Sequence, residues 1–273
     1  MIDNNSLRSR GYSPAGSRPP RAFAPDWWTR AGWAALALYV VFAATQVGFS
    51  PARFAQGIEQ GGRFLARMFP PNFERWSLLA TGFLESIEIA IIATFFGVLL
   101  ALPVGLCAAR NLMPPWVTWP VRLFIGLCRS FHPIIVAILF VKAIGFGALA
   151  GILALIVASI GFISKLFAEA IEEISLKQVE AVRATGASFA NVLIMGVQPQ
   201  VLPRFIGFAT YQLDSNLRNS TTVGIVGGGG IGATMYTAYQ RFDYDVVLAI
   251  LVVIVALVML SELISGAVRK VFQ

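Results

Sequence analysis

Six stretches of this chain are each long and apolar enough to cross a lipid bilayer as a helix, which takes about 20 mostly apolar residues. Charged residues make up only 13% of the 273 residues, about half the share that is usual in soluble domains. Because backbone groups in lipid must pair within the chain, the sequence predicts an all-α integral membrane protein. The predicted spans are about 28–49, 79–108, 121–143, 146–168, 204–225 and 243–265.

The first 27 residues differ from the rest of the chain, because they are polar, rich in proline and arginine, and without apolar periodicity. This composition predicts a disordered basic tail, followed by one transmembrane domain over residues 28–273. Six spans place both ends on one side, and with that side taken as the cytoplasm most of the 21 lysines and arginines fall inside. The positive-inside rule therefore predicts a multi-pass protein of the bacterial cytoplasmic membrane with both termini cytoplasmic. The net charge of +7 follows from this topology and does not indicate nucleic-acid binding.

The segment between the fourth and fifth spans, residues 169–203, is too rich in glutamate to cross the bilayer. Its pattern predicts two short amphipathic helices, about 169–185 and 188–197, broken at Gly186, with Pro199 and Pro203 ending the second helix before the next span. An apolar face left free on such a pair is typical of a docking element. A helix pair that lies on the inner leaflet of the membrane explains the pattern equally well.

The segment LRNSTTVGIVGGGGIG, residues 217–232, is unusually polar for a position between two membrane spans. Arg218 is costly at membrane depth, and it follows Asp214 by one helical turn, so the two side chains could simply neutralise each other. The amides and hydroxyls around them favour a second interpretation, in which these groups and the planar guanidinium share a phosphate-like oxyanion. The predicted path residues are Asp214, Asn216, Arg218, Asn219, Ser220 and Thr221.

Four consecutive glycines, Gly227, Gly228, Gly229 and Gly230, predict a turn that ends the fifth span near the outer face and serves as a gate. Their backbone N–H groups could also meet a passing anion. They do not form an ATPase phosphate loop, which requires a Gly-Lys pair that occurs nowhere in the chain. ATP must therefore be hydrolysed by a partner. With one histidine, His132, the sequence predicts neither a metal site nor a catalytic centre.

The segment 169–203 resembles the cytoplasmic loop of ABC importer permeases, in which Glu-Ala-Ala is followed by a glycine and, further on, by Leu-Pro. Glu180-Ala181-Val182, Gly186 and Pro199 match these positions, whereas Val182, Gly196 and Gln198 depart from the pattern. Further motifs are similar to the phosphonate branch of that family, whose members import phosphonates, phosphite or phosphate. These motifs are FPPNF at 69–73, SIEIA at 86–90, LFAEAIE at 166–172, RATGAS at 183–188 and the glycine-rich segment, whereas FHP at 131–133 departs from the family's Ile-Pro-Glu.

The resemblance implies a type I importer fold in a permease subunit that has no ATPase of its own. It implies that Glu180, Ala181, Arg183, Gly186 and Pro199 couple the chain to two separate ATP-binding subunits, which would bind ATP and Mg. An extracytoplasmic solute-binding protein and a second copy of the chain would complete the transporter, which would work by alternating access. A methionine- or metal-type permease is the alternative within the family. An ion-coupled secondary transporter is the alternative outside it, and would show inverted repeats with broken helices in both halves.

Overall fold

The computed structural model describes residues 27–48 and 50–272, so the predicted tail lies outside the described residues except for Trp27. The described chain is helical and connected by turns. It divides between Arg63 and Phe64 into two compact units. The helices are α1 (Trp27–Gln46), α2 (Pro51–Met68), α3 (Trp76–Ala108), α4 (Pro115–Ser130), α5 (Pro133–Ile144), α6 (Ala148–Glu172), α7 (Leu176–Ala184), α8 (Phe189–Val192), α9 (Gln198–Ile225), α10 (Gly230–Gln240) and α11 (Tyr244–Phe272).

Four helical segments of the described chain are long and apolar enough to cross a membrane singly. Two bent pairs, α1 with α2 and α4 with α5, are long and apolar enough only when each pair is taken together, so the predicted count of six holds if each pair is one span. The single segments are Trp76–Ala108, Ala148–Glu172, Phe189–Gln240 and Tyr244–Gly266.

The predicted third span, 121–143, is not one straight helix. The chain bends by 88° between α4 and α5. Pro133 opens α5, and His132 before it is extended, with φ −66° and ψ 142°. Proline disfavours a helical conformation in the preceding residue and donates no backbone hydrogen bond, so the break falls immediately before it.

Small residues bring α3 and α6 into close contact along their lengths. A Cβ atom added at Gly97 of α3 would lie 2.4 Å from the Cβ of Ser159 on α6, and one added at Gly105 would lie 2.8 Å from the ring of Phe167. Close approach of backbones is the usual way in which helices pack in lipid, where burial from water contributes little. α9 packs against both helices of this pair, α10 packs against α3, and α11 packs chiefly against α9.

The glycine run forms a tightly packed turn between α9 and α10. Gly227, Gly229 and Gly230 have φ of 100°, 79° and 73°, a region that favours glycine. The N–H of Gly147 donates to the carbonyl of Gly227 at 2.9 Å, which holds the turn against the start of α6. A Cβ at Gly151 of α6 would lie 2.3 Å from the carbonyl oxygen of Gly228. The turn therefore lies where the glycines predict it, with Gly228, Gly229 and Gly230 buried.

Gly151→Ala should therefore lower the stability of the membrane-embedded protein. Its new methyl group would overlap a backbone carbonyl, and overpacking of this kind typically costs about 1–3 kcal/mol. Gly266→Ala is the matched control, because a Cβ there meets no atom within 4 Å and alanine is the better helix former. Thermal unfolding of the purified variants measures the difference. A midpoint for Gly151→Ala at or above that of Gly266→Ala would contradict the packing described here.

Candidate functional site

One face of α9 carries exposed polar side chains at helical spacing. Tyr211, Ser215, Arg218, Asn219 and Thr222 are all partly or fully exposed, and they recur at intervals of three and four residues. Residues at these intervals lie on one side of a helix. We call this set the polar face of α9. Ser215 and Tyr211 were not among the residues predicted from the sequence, although the helical spacing from Arg218 would have found them.

Arg218 and Asp214 are paired on this helix, and the arginine is the exposed member. The guanidinium Nη2 donates to Oδ2 of Asp214 at 3.3 Å, while 60% of the Arg218 side chain and only 13% of the Asp214 side chain are exposed. The carboxylate also accepts a hydrogen bond from the hydroxyl of Ser261 on α11. Since a guanidinium has five N–H donors, this long contact leaves most of them available to a ligand.

Asn216 belongs to a buried polar network rather than to the polar face. Its amide donates to Thr94 Oγ1 of α3 at 2.9 Å and to Ser159 Oγ of α6 at 3.0 Å. Gln212 donates to the same Ser159 at 2.9 Å and to the side-chain oxygen of Asn216 at 3.0 Å. Asn216 and Ser159 are fully buried, and each of the four side chains is hydrogen-bonded. The network therefore joins α3, α6 and α9.

Ser220 and Thr221 are likewise turned away from solvent in this chain. The Ser220 hydroxyl donates to the carbonyl of Leu217 at 2.8 Å, and the Thr221 hydroxyl donates to that of Arg218. Both residues are buried. Positions two residues apart lie about 200° apart on a helix, so Asn216 and Ser220 face away from Arg218. Of the six predicted path residues, the exposed face thus carries Arg218 and Asn219, with Asp214 beside them.

An aromatic pair extends the polar face of α9 towards α6. The rings of Phe162 and Tyr211 stack with centroids 5.5 Å apart and an angle of 29° between their planes. Lys165 and Glu169 follow Phe162 on α6 at intervals of three and four residues, and both are about half exposed. The exposed polar groups of α6 and α9 therefore lie on adjoining helix faces.

The predicted docking loop begins and ends differently from the expectation. α6 continues to Glu172, so the first loop helix is α7 and does not begin at residue 169. α8 is a single turn that passes through a π-helical turn, Leu193–Val197, directly into α9. Pro199 and Pro203 lie within the first two turns of α9 and do not end a helix. Pro199 is tolerated because the N–H groups of a first turn have no helical partner, whereas Pro203 lies inside the helix.

α7 buries one side and exposes the other. Val179 is 2% exposed and packs in a cluster with Val192, Val197 and Val201. The opposite side is open to solvent, and Gly186 follows it with φ of 75° and no atom within 4 Å of a Cβ placed there. The exposed residues include every one predicted for coupling: Glu180, Ala181, Arg183, Gly186 and Pro199.

An ion pair and two hydrogen bonds hold the end of α6, from which this loop leaves, to α4 and to the end of α3. The guanidinium of Arg122 on α4 pairs with Glu172 and donates to the carbonyl of Ala108 at the end of α3, at 2.9 Å. Glu172 also accepts from the backbone N–H of Arg110 at 2.7 Å. Sequence reasoning missed this cluster, since its members are 50 and 62 residues apart in the chain. The loop is thus attached to a fixed base.

Comparisons with known proteins agree with these features. Residues 101–272 match the family described as "Binding-protein-dependent transport system inner membrane component". The chain is 38% identical over 256 residues to the phosphite transport system permease protein PtxC of Stutzerimonas stutzeri, with 93% of each chain covered. It is 40% identical over 206 residues to the phosphate-import permease protein PhnE of Mycolicibacterium smegmatis, which covers 75% of this chain and 39% of that protein. Among solved structures, it is similar to a chain of the MetNI methionine ABC transporter in an inward-facing conformation, with a TM-score of 0.65, 28% identity, and 74% of this chain and 99% of that one covered.

Proposed function

Since this chain belongs to the binding-protein-dependent inner membrane transport components and is the permease of an ABC importer, we propose that it passes phosphonate, phosphite or phosphate across the bacterial cytoplasmic membrane. The exposed guanidinium of Arg218 on the polar face of α9 carries this proposal. The names of two relatives support it, one a phosphite and the other a phosphate permease.

The chemistry of the polar face suits a tetrahedral oxyanion. A cation within a membrane span is expensive and is retained where it meets a pathway or a partner. A guanidinium offers parallel N–H donors that match two oxygens of a phosphate-like group. Ser215, Asn219 and Thr222 on the same face add neutral donors beside it. Asp214 lies mostly covered behind Arg218, held by Ser261, so its charge does not face the path.

The remainder of the transporter follows from this role. As a permease subunit the chain relies on a separate ATPase, and in our proposal two such subunits bind ATP and Mg and dock on the exposed side of α7. A second copy of this chain supplies the other half of the path, because closed two-fold assembly is the usual solution for half-sites. A solute-binding protein delivers the anion on the outside. Closure of the ATPases then drives an alternating-access step.

The cargo is tested by uptake. Cells that lack the native system should take up labelled phosphate, phosphite or methylphosphonate only when this chain is expressed with its ATPase and binding protein. The transported anion should be displaced by its unlabelled form and not by methionine. Uptake of methionine in place of all three anions would replace this proposal with the methionine-type alternative. Co-purification of two differently tagged copies of the chain tests the homodimer.

The orientation is tested with single cysteines in a protein whose Cys107 and Cys128 have been replaced. With both termini in the cytoplasm and residues 28–49 alone as the first span, as the sequence predicts, α7 lies on the inside and α2 on the outside. Gln60→Cys should therefore react with an impermeant thiol reagent in intact cells, whereas Thr185→Cys should react only after permeabilisation. The two positions are exposed, so access within the protein does not limit either reaction. Labelling of both from the same side would contradict this topology.

A further inference from the structure

A cavity of about 420 Å³ lies between α4 and α6 at the end of α3, and two of its lining residues belong to the polar groups of α6 that adjoin the polar face of α9. Its volume is within the range of small-molecule sites. Three cationic side chains line it, Arg122, Arg129 and Lys165, together with the hydroxyl of Ser130 and one carboxylate, Glu169. None of these residues was assigned a role in transport above. The cavity therefore combines a site-sized volume with an excess of positive charge.

The charges of this cavity do not cancel. Arg122 is paired with Glu172. Lys165 is paired with Glu169 at 3.5 Å, in a half-exposed contact of the kind that contributes little to stability. Arg129 has neither an ion pair nor a hydrogen bond from its side chain to any residue that the structure describes. The exposed Arg129 guanidinium thus has no protein partner among the described residues, and the Lys165 ammonium is weakly held.

The position of Arg129 is fixed by the crossing of α4 and α6. A Cβ atom added at Gly161 of α6 would lie 2.9 Å from Cγ of Arg129 and 3.0 Å from Cβ of Cys128. The stem of the arginine therefore packs against bare helix backbone, which only glycine provides at this point. This contact fixes the stem of Arg129 at the crossing, and the exposed guanidinium extends beyond it.

The end of the cavity at Arg122 lies close to the tryptophans that mark the membrane interface. α4 begins with Pro115 and exposes Trp116 and Trp119, which are 78% and 72% accessible. Tryptophan prefers the level of the lipid headgroups. An anion at this cavity would therefore be within reach of the water at the end of the bundle that carries α7, and of the headgroups around it.

We propose that this cavity is a second binding site for a phosphate-type oxyanion, with Arg129 as its principal ligand and Lys165 as a supporting group. The anion comes either from the transported cargo as it leaves the path or from the headgroup of an anionic lipid. The site rests on the proposed function only where the cargo is its source. The two sources share the same chemistry, a phosphorus bearing negatively charged oxygens.

The test uses the permease assembled with its ATP-binding subunits, in nanodiscs of pure phosphatidylcholine, and omits the solute-binding protein. Arg218→Gln is present throughout, so that the polar face of α9 does not contribute to binding. Equilibrium binding of labelled inorganic phosphate is then compared with and without Arg129→Gln. We expect Arg129→Gln to weaken binding about tenfold or more, because charge-assisted hydrogen bonds to a guanidinium are among the strong ones. Lys142→Gln removes an exposed cation outside the cavity and should leave binding unchanged.

A second arm identifies a lipid source. The same variants are purified from membranes that contain phosphatidylglycerol, and the phosphatidylglycerol that remains bound is quantified. Loss of bound lipid in Arg129→Gln alone, without phosphate binding in the first arm, assigns the site to a headgroup. Equal phosphate binding and equal lipid retention in Arg129→Gln and its parent would overturn the proposal. Arg129→Lys keeps the charge and should retain part of the binding. It is the control that separates loss of the charge from loss of folding.

These outcomes are separate from the fate of the proposed function. If the transporter takes up none of the three anions, and Arg129→Gln still reduces phosphate or lipid binding, the proposed cargo is refuted and the proposed site at Arg129 is supported. If the transporter takes up phosphite or phosphate, and Arg129→Gln has no effect in either arm, the proposed cargo is supported and the proposed site is refuted.

Discussion

Arg218→Ala should reduce oxyanion uptake by about 100-fold or more while the transporter still assembles, because loss of two hydrogen bonds to a charged group costs about 3 kcal/mol or more. The structure supports the separation of these two effects. The Arg218 side chain is largely exposed, and Asp214 retains its hydrogen bond from Ser261 when the arginine is removed. Uptake of the labelled anion and size-exclusion profiles of the complex measure the two quantities independently. Arg218→Lys keeps the charge without the planar fork and should be partly active.

The double variant Asp214→Asn with Arg218→Gln decides between the two roles of this pair. If Arg218 only neutralises Asp214, the double variant restores uptake, because neither charge then remains. If Arg218 binds the anion, the double variant assembles and stays inactive, which is the result we expect. Glu59 and Arg63 provide a matched control, since they form an exposed pair with the same four-residue spacing at 2.7 Å. Arg63→Ala should leave uptake unchanged.

Glu180→Lys should abolish most of the coupling between ATP hydrolysis and transport. Glu180 lies on the exposed side of α7, and the cluster around Val179 holds the other side in place. Reversal of a charge at a protein interface brings like charges together, which costs several kcal/mol and corresponds to a loss of about a hundredfold or more in coupled uptake. Glu74→Lys reverses an exposed charge elsewhere and is the control. Stimulation of ATPase activity by the loaded binding protein gives the readout.

Gly186 permits a sharper version of the same experiment. Its φ of 75° is unfavourable for most residues, but asparagine tolerates this region. Nothing within the chain approaches its Cβ position, so a requirement for glycine arises either from the backbone conformation or from a docked partner. Gly186→Asn should retain more coupled uptake than Gly186→Val if conformation is the requirement. Equal loss in both variants assigns the requirement to close approach by the ATPase, and full activity in both would contradict a docking role.

The features that the sequence predicts well are those that depend on local composition. The transfer of apolar segments into lipid is a property of each segment alone, so the spans at 79–108, 146–168, 204–225 and 243–265 correspond to parts of α3, α6, α9 and α11. The break before Pro133 was also readable in principle, because proline acts on its own neighbours. Its angle of 88° was not, since that depends on how α4 and α5 pack against α6.

The candidate site was predicted as a run of neighbours, and the helix divides that run between two faces. Asn216 and Arg218 are only two residues apart in the sequence, but they lie on opposite faces of α9. Asn216 is therefore buried between helices, while Arg218 is exposed. Helical periodicity would have separated them, and would have added Ser215. No local signal could have shown that Asn216 bonds to Thr94, because 122 residues separate them. The partners of a buried amide are decided by tertiary packing.

The network of Thr94, Ser159, Gln212 and Asn216 has a mechanical consequence. Amide and hydroxyl groups without water must keep their partners, so rotating α9 alone would leave several polar groups unpaired in an apolar surrounding. We therefore expect α3, α6 and α9 to move as a single rigid block, with the change of angle taken up where α4 meets α5. Spin labels on α3 and α9 should keep their separation in ATP-bound and ATP-free transporters, while labels on α4 and α5 should not. In this permease Arg218 would keep its position within the block, while the tilt of the block opens it to one side of the membrane and then to the other.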